Sequence, residues 1–151
     1  MIFAWAIMKR IALIIATNIS TLVAPFAASD AIEQRIRIMK ANGAATKEAA
    51  AMLKGQAPFD LAKIQSILRD YQENTTKFIT LFPDDTKNGG DTSASQKIWS
   101  DPAGFKAENE KFANDAKAAA SAIKDEASFK VNFPVVIKNC GDCHESYRIK
   151  N

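Results

Sequence analysis

The chain has 151 residues, with 20 Lys and Arg against 17 Asp and Glu, one His and two Cys. That length has room for one domain, and a formal net charge of +3 is too small to steer it to nucleic acid or an anionic membrane. Two cysteines are too few for a disulfide scaffold.

The N-terminus reads as an export signal. Met8-Lys9-Arg10 supplies a basic start, Ile11 to Val23 is mostly apolar, and Ala24 to Ser29 is rich in small residues. Met8 is a more natural beginning than Met1. Cleavage after Ser29 puts Ala27 and Ser29 at the two small-residue positions, so 1–29 is assigned to a cleaved signal peptide and 30–151 to the mature domain. Thr17, Asn18, Ser20 and Thr21 break the short apolar stretch, which argues against a spanning helix. Without Lys9 and Arg10, 18 basic residues face 17 acidic ones, a net of +1.

Four apolar stripes follow. In the first, Ile32, Ile36, Met39, Gly43, Thr46, Ala50 and Leu53 recur at helical steps, and Lys54-Gly55 is the stop. The second carries Leu61, Ile64, Leu68, Tyr71, Thr75, Phe78 and Phe82, with Pro83 ending it. Asp84 to Gln96, holding Gly89-Gly90, reads as the one long loop. Asp101-Pro102 then opens an alanine-rich third helix marked by Phe105, Phe112, Ala116, Ala119 and Ile123. The fourth carries Phe129, Phe133, Val136, Cys140, Cys143 and Tyr147, with a kink expected at Pro134. No alternating strand pattern intervenes, so the expected fold is all-α, an antiparallel four-helix bundle.

Both cysteines and the one histidine fall together in that last stripe, as Cys140-Gly141-Asp142-Cys143-His144. C-x-x-C-H is the attachment signature of a c-type haem. Each thiol adds to a vinyl group, and the histidine gives a nitrogen to the iron. Positions 140, 143 and 144 stand at i, i+3 and i+4, so one helix face offers both sulfurs and the imidazole to one porphyrin. A structural zinc site would need four protein ligands and finds three. A thioredoxin-like dithiol would need a βαβ context, and a plain disulfide would leave His144 without a role. One haem c, held through Cys140 and Cys143 with His144 on the iron, is therefore expected between the helices near one end of the bundle. Such haem is attached outside the bacterial cytoplasm, in agreement with export to the periplasm.

With its motif at the C-terminus, the chain resembles the class II c-type cytochromes, the cytochrome c prime family, from about Asp30 onward. The resemblance is carried by Gln34 to Lys40, Lys54 to Asp60, Gly89-Gly90-Asp91 and Ile98-Trp99-Ser100-Asp101 with Phe105. Most specific is the Cys-x-x-Cys-His-x-x-Tyr-Arg run from Cys140 to Arg148. By matching positions it implies that Arg35 lies by a haem propionate, that Arg148 borders the proximal haem face, and that Phe78, Phe82 and Phe133 line the pocket. Each has a plain alternative: a solvated arginine, a cation at a helix C-terminus, or core aromatics. Trp99 matches the family's tryptophan after the long loop and is read as packing. Pro134 stands where the family more often has a small residue.

Family members split by what faces the iron opposite the histidine. A bound methionine sulfur gives six-coordinate, low-spin iron suited to electron transfer; an unbonded apolar residue gives five-coordinate iron that binds gases such as nitric oxide. Met39 holds the matching position, and as an apolar-stripe residue it also suits gap-filling. A thioether is a good soft ligand for haem iron, and Lys40-Ala41-Asn42-Gly43 resembles the low-spin branch, so Met39 is read as the distal ligand. The expected role is a periplasmic electron carrier with redox-protein partners; the alternative is a gas binder. No enzyme is expected, since peroxide cleavage wants a distal acid-base residue and the single histidine is spent. Family members often pair through their first two helices, which leaves monomer and homodimer both open.

Overall fold

In the computed structural model, residues 24–90 and 92–149 are described. Residues 1–23 of the expected signal peptide lie outside them. Among the described residues there are four long helices: α1 (Ala24–Leu53), α2 (Leu61–Phe78), then, after a four-residue helix α3 (Lys97–Ser100), α4 (Pro102–Ala122) and α5 (Glu126–Tyr147). A single 3-10 turn, Asp84–Thr86, interrupts the long loop. No helix among the described residues is long and apolar enough to cross a membrane.

Local chemistry sets the ends. Gly55 takes φ +68, and the amides of Gly55 and Gln56 reach back to the carbonyls of Met52 and Ala51 at 3.1 and 2.8 Å. That pair closes α1 in a Schellman motif, for which a left-handed glycine is suited. Asp60 caps α2 by accepting from the Lys63 amide, and Asp101 caps α4 by accepting from that of Gly104. A reciprocal Asp125–Ser128 box opens α5.

Two expectations need correction. α2 stops at Phe78 rather than running on to Phe82. The Thr80 and Leu81 amides bond only three residues back, to Lys77 and Phe78, and the Thr80 hydroxyl also takes the Lys77 carbonyl. β-branched Thr75, Thr76, Ile79 and Thr80 crowd this turn, and the chain tightens out of the helix. Near its C-terminal end α1 buries Ala49 and Met52, with Ala45 against them, one position off the expected Thr46-Ala50-Leu53 line. α5 runs on through Pro134, whose ring is exposed.

The main core joins Ile64, Leu68 and Tyr71 of α2, Ala116 and Ala119 of α4, and Phe129, Phe133 and Val136 of α5. α4 packs against both α2 and α5, and α1 packs on α2. Phe133 is fully buried between Phe129 (ring centroids 5.2 Å) and Tyr71 (6.5 Å). Phe133→Ala should cost about 3–5 kcal/mol, from lost burial plus the cavity left behind. Urea unfolding should show a lowered midpoint at unchanged slope. Val131→Ala, at a site 71 % exposed on the same helix, should stay within about 0.5 kcal/mol of the parent.

Candidate haem site

α1 and α5 make few direct contacts, and both line a cavity of about 600 Å³. α1 supplies Arg35, Ile36, Met39 and Gly43; α5 and the residue after it supply Cys140, Cys143, His144, Tyr147 and Arg148. Phe78 of α2, Phe82 beyond it, and Phe105 and Phe112 of α4 complete apolar walls. Phe82 packs edge-on against Phe78 and Phe105 at 4.9 and 4.8 Å between ring centroids. Although off the helix, Phe82 is held in place, because its carbonyl accepts from Trp99 Nε1 at 3.1 Å.

Arg35 is 4 % exposed, so it is no solvated surface arginine. Its guanidinium lies 4.5 Å from the Phe82 ring centroid, and Nη1 donates to Thr86 Oγ1 at 3.2 Å. Nε and Nη2 are buried without a partner. Burial pulls its pKa down from the ordinary value, yet a guanidinium stays charged. A buried cation with unpaired donors is costly unless an anion completes it.

Both thiols are free and half-buried, and burial pushes each pKa up. Cys143 reaches about 11, with the negative charges of Glu108 and Cys140 adding to the burial effect. His144 moves the other way: burial first, then the Arg148 charge one turn on, lowers its pKa. The imidazole is thus neutral at pH 7, the form that binds metal. Among the described residues no group of three or more His, Cys, Asp and Glu converges on a bare metal ion.

The last turn of α5 is tied down. Tyr147 donates to Asp101 Oδ2 at 2.9 Å, engaging the residue that caps α4. The Ser95 amide donates to the Tyr147 carbonyl and the Ile149 amide to the Ser93 carbonyl, drawing Thr92 to Ala94 against the cavity. One residue before Cys140, buried Asn139 accepts from Lys111 Nζ at 2.6 Å and donates to Asp115 at 2.8 Å.

Of the residues singled out above, Arg35, Met39, Phe78, Phe82, Cys140, Cys143, His144 and Arg148 therefore share one cavity. Phe133 does not; it lies seven residues before Cys140, about 10 Å down the helix axis, in the closed core. Thr86, Glu108, Phe112 and Asn139 were not singled out as site residues. Phe112 lies on the apolar stripe of its helix, whereas isolated polar residues carry no periodic signal.

These residues fit a haem c. The walls are apolar, two thiols and a neutral imidazole share one helix face, and three cations, Arg35, Lys40 and Arg148, suit the two propionates.

Both tyrosines of the chain are displaced upward to about 12, Tyr71 by burial and Tyr147 by burial and then by its bond to Asp101. A raised folded pKa means stability is fully present below about pH 10 and is lost as pH rises through about 12. Ultraviolet titration of the folded protein should show no phenolate step near 10 and a fall in stability across that window. A tyrosine titrating at 10 in the native state would contradict the packing described.

The family model for Cytochrome C' matches residues 30–148. Cytochrome c' of Rhodopseudomonas palustris is 48 % identical over 124 residues, covering 82 % of this chain and 85 % of that protein. Its solved structure superposes with a TM-score of 0.78, covering 81 % of this chain and 98 % of that one. Cytochrome c-556 of the same organism is 31 % identical over 147 residues, covering 95 % and 99 %. A nitric oxide complex of a cytochrome c prime variant from Alcaligenes xylosoxidans superposes with a TM-score of 0.70 at 28 % identity, covering 82 % and 97 %. A four-helix bundle with the attachment motif on its last helix, matched along almost all of the expected mature domain, belongs to the class II c-type cytochromes, the cytochrome c prime family, which carry covalently bound haem c.

Proposed function

We propose that the chain is a periplasmic electron carrier whose haem c is bound through Cys140 and Cys143, with His144 and Met39 as axial ligands. When bound, the haem would supply a one-electron iron couple, and its iron would bind a small gas wherever no protein sulfur takes that site. Cys140 and Cys143 anchor and orient it. His144, whose pKa is lowered by desolvation and by the Arg148 charge, offers a ring nitrogen that is mainly unprotonated at pH 7. Buried Arg35 and the more exposed Arg148 neutralise the propionates. Phe78, Phe82, Phe105 and Phe112 would keep water from the cavity that holds the haem, which raises the worth of every nearby charge.

The observation that carries the distal assignment is the contrast between two methionines of α1. Met52 is 9 % exposed and fills the core, whereas Met39 is 36 % exposed and lines the cavity. A gap-filling methionine is expected to look like Met52. Residues 1–29 serve in this reading as the export signal, cleaved near the start of α1.

Gas binding with His144 alone is the second reading, favoured by the higher identity to a cytochrome c' than to a cytochrome c-556. The absorption spectrum of the ferrous protein separates the two. A sharp, split low-spin α band that carbon monoxide leaves unchanged supports the carrier. A broad high-spin spectrum that shifts readily with carbon monoxide supports the gas binder.

A further inference from the structure

Among the described residues lining the cavity, Glu108 is the one carboxylate. It sits on α4 between Phe105 and Phe112, which line the cavity about one turn to either side, so the whole of this face looks inward. Glu108 is half-buried, while Lys106 and Glu110 beside it are exposed and pair with each other at 2.8 Å. Lys111, three residues on, is committed to Asp115 and Asn139 at 2.8 and 2.6 Å. Its charge is a lesser contributor, after burial, to the raised pKa of Cys143 and of Tyr147, which line the same cavity. A lone negative charge facing the inside of a cofactor cavity otherwise edged by cations calls for a role.

We propose that Glu108 lowers the reduction potential of the haem site. The reaction concerned is one-electron reduction of ferric to ferrous iron, the electron coming from a redox protein or a small-molecule mediator. Ferric haem carries one more positive charge than ferrous haem, so a fixed carboxylate beside the Cys143 attachment point favours the oxidised form. Partial burial keeps salt from screening that attraction as it would at the surface. Haem potentials respond to charge and burial of this kind without any change of ligand. The inference rests on the haem reading of the site but not on which residue faces His144 across the iron.

The test is a mediated redox titration of the haem-loaded chain, followed by absorption. Glu108→Gln should raise the ferrous-to-ferric ratio at a fixed solution potential up to about tenfold, which is about 59 mV for a one-electron couple. Glu108→Lys should raise it further, and Glu108→Asp should restore most of the parent value. Glu110→Gln, on the exposed face of the same turn, is the control and should move the potential little. A purely structural Glu108 would not give this ordering by charge. Equal potentials in the parent, Glu108→Gln and Glu108→Lys would overturn the proposal while leaving the haem site standing. Absence of covalent haem from the parent on a denaturing gel would overturn the site reading and this proposal together.

Discussion

Replacing both Cys140 and Cys143 with alanine should abolish covalent haem, and either single replacement should leave one thioether. Haem stain on a denaturing gel reads the result directly, because only covalent attachment survives the detergent. Stain retained in the double variant would mean that the attachment assignment is wrong. The same variant should lose thermal stability. The cavity of about 600 Å³ is walled by aromatic rings that meet the cofactor in the loaded protein and nothing equivalent without it. A ligand bound only by the folded chain stabilises it, and a covalent one cannot be diluted away. An apo form as heat-stable as the loaded one would argue against a haem embedded between α1 and α5.

Met39→Leu should have the largest effect on the iron. Leucine keeps the apolar volume, so the packing change should remain below about 1.5 kcal/mol. If the thioether is on the iron, its removal takes the site from six- to five-coordinate, lowers the potential and sharply raises carbon monoxide affinity. Met52→Leu, in the closed core, should change none of these. An unchanged ferrous spectrum in Met39→Leu would sink the electron-carrier mechanism and put gas binding in its place.

Helix identity was legible because each helix repeats its message several times over. The third stripe shows this best: of the five residues read from its spacing, Phe105, Ala116, Ala119 and Ile123 are buried and Phe112 is half-buried against the core. The ends were less legible, since they turn on single residues. Gly55 and Asp101 act as read, whereas α2 stops four residues early at a cluster of β-branched side chains whose crowding competes with the apolar stripe running through them. On α1 the stripe named Ala50 and Leu53, but Ala49 and Met52 are the more deeply buried. Spacing fixes a face only to within about one residue, about 100° of rotation, and contact with α2 chooses the exact phase.

What the sequence by itself determined is whatever depends on neighbours along the chain: the helices, the stop at Gly55 and the cap at Asp101, and the presentation of two thiols and an imidazole on one turn. The resemblance carried by that turn and by the runs before it also pointed to Arg35 and Met39. Only the tertiary structure decided what meets across the bundle. It buried Arg35 against Thr86, 51 positions away, left two of its nitrogens unpaired, and opened Met39 rather than Met52 to the cavity. It also sent Phe133 into the closed core and turned Glu108 inward. The reason is geometric. A 3.6-residue period states which side of a helix is apolar, but depth along the axis and rotation against other helices are set by the packing of all of them at once.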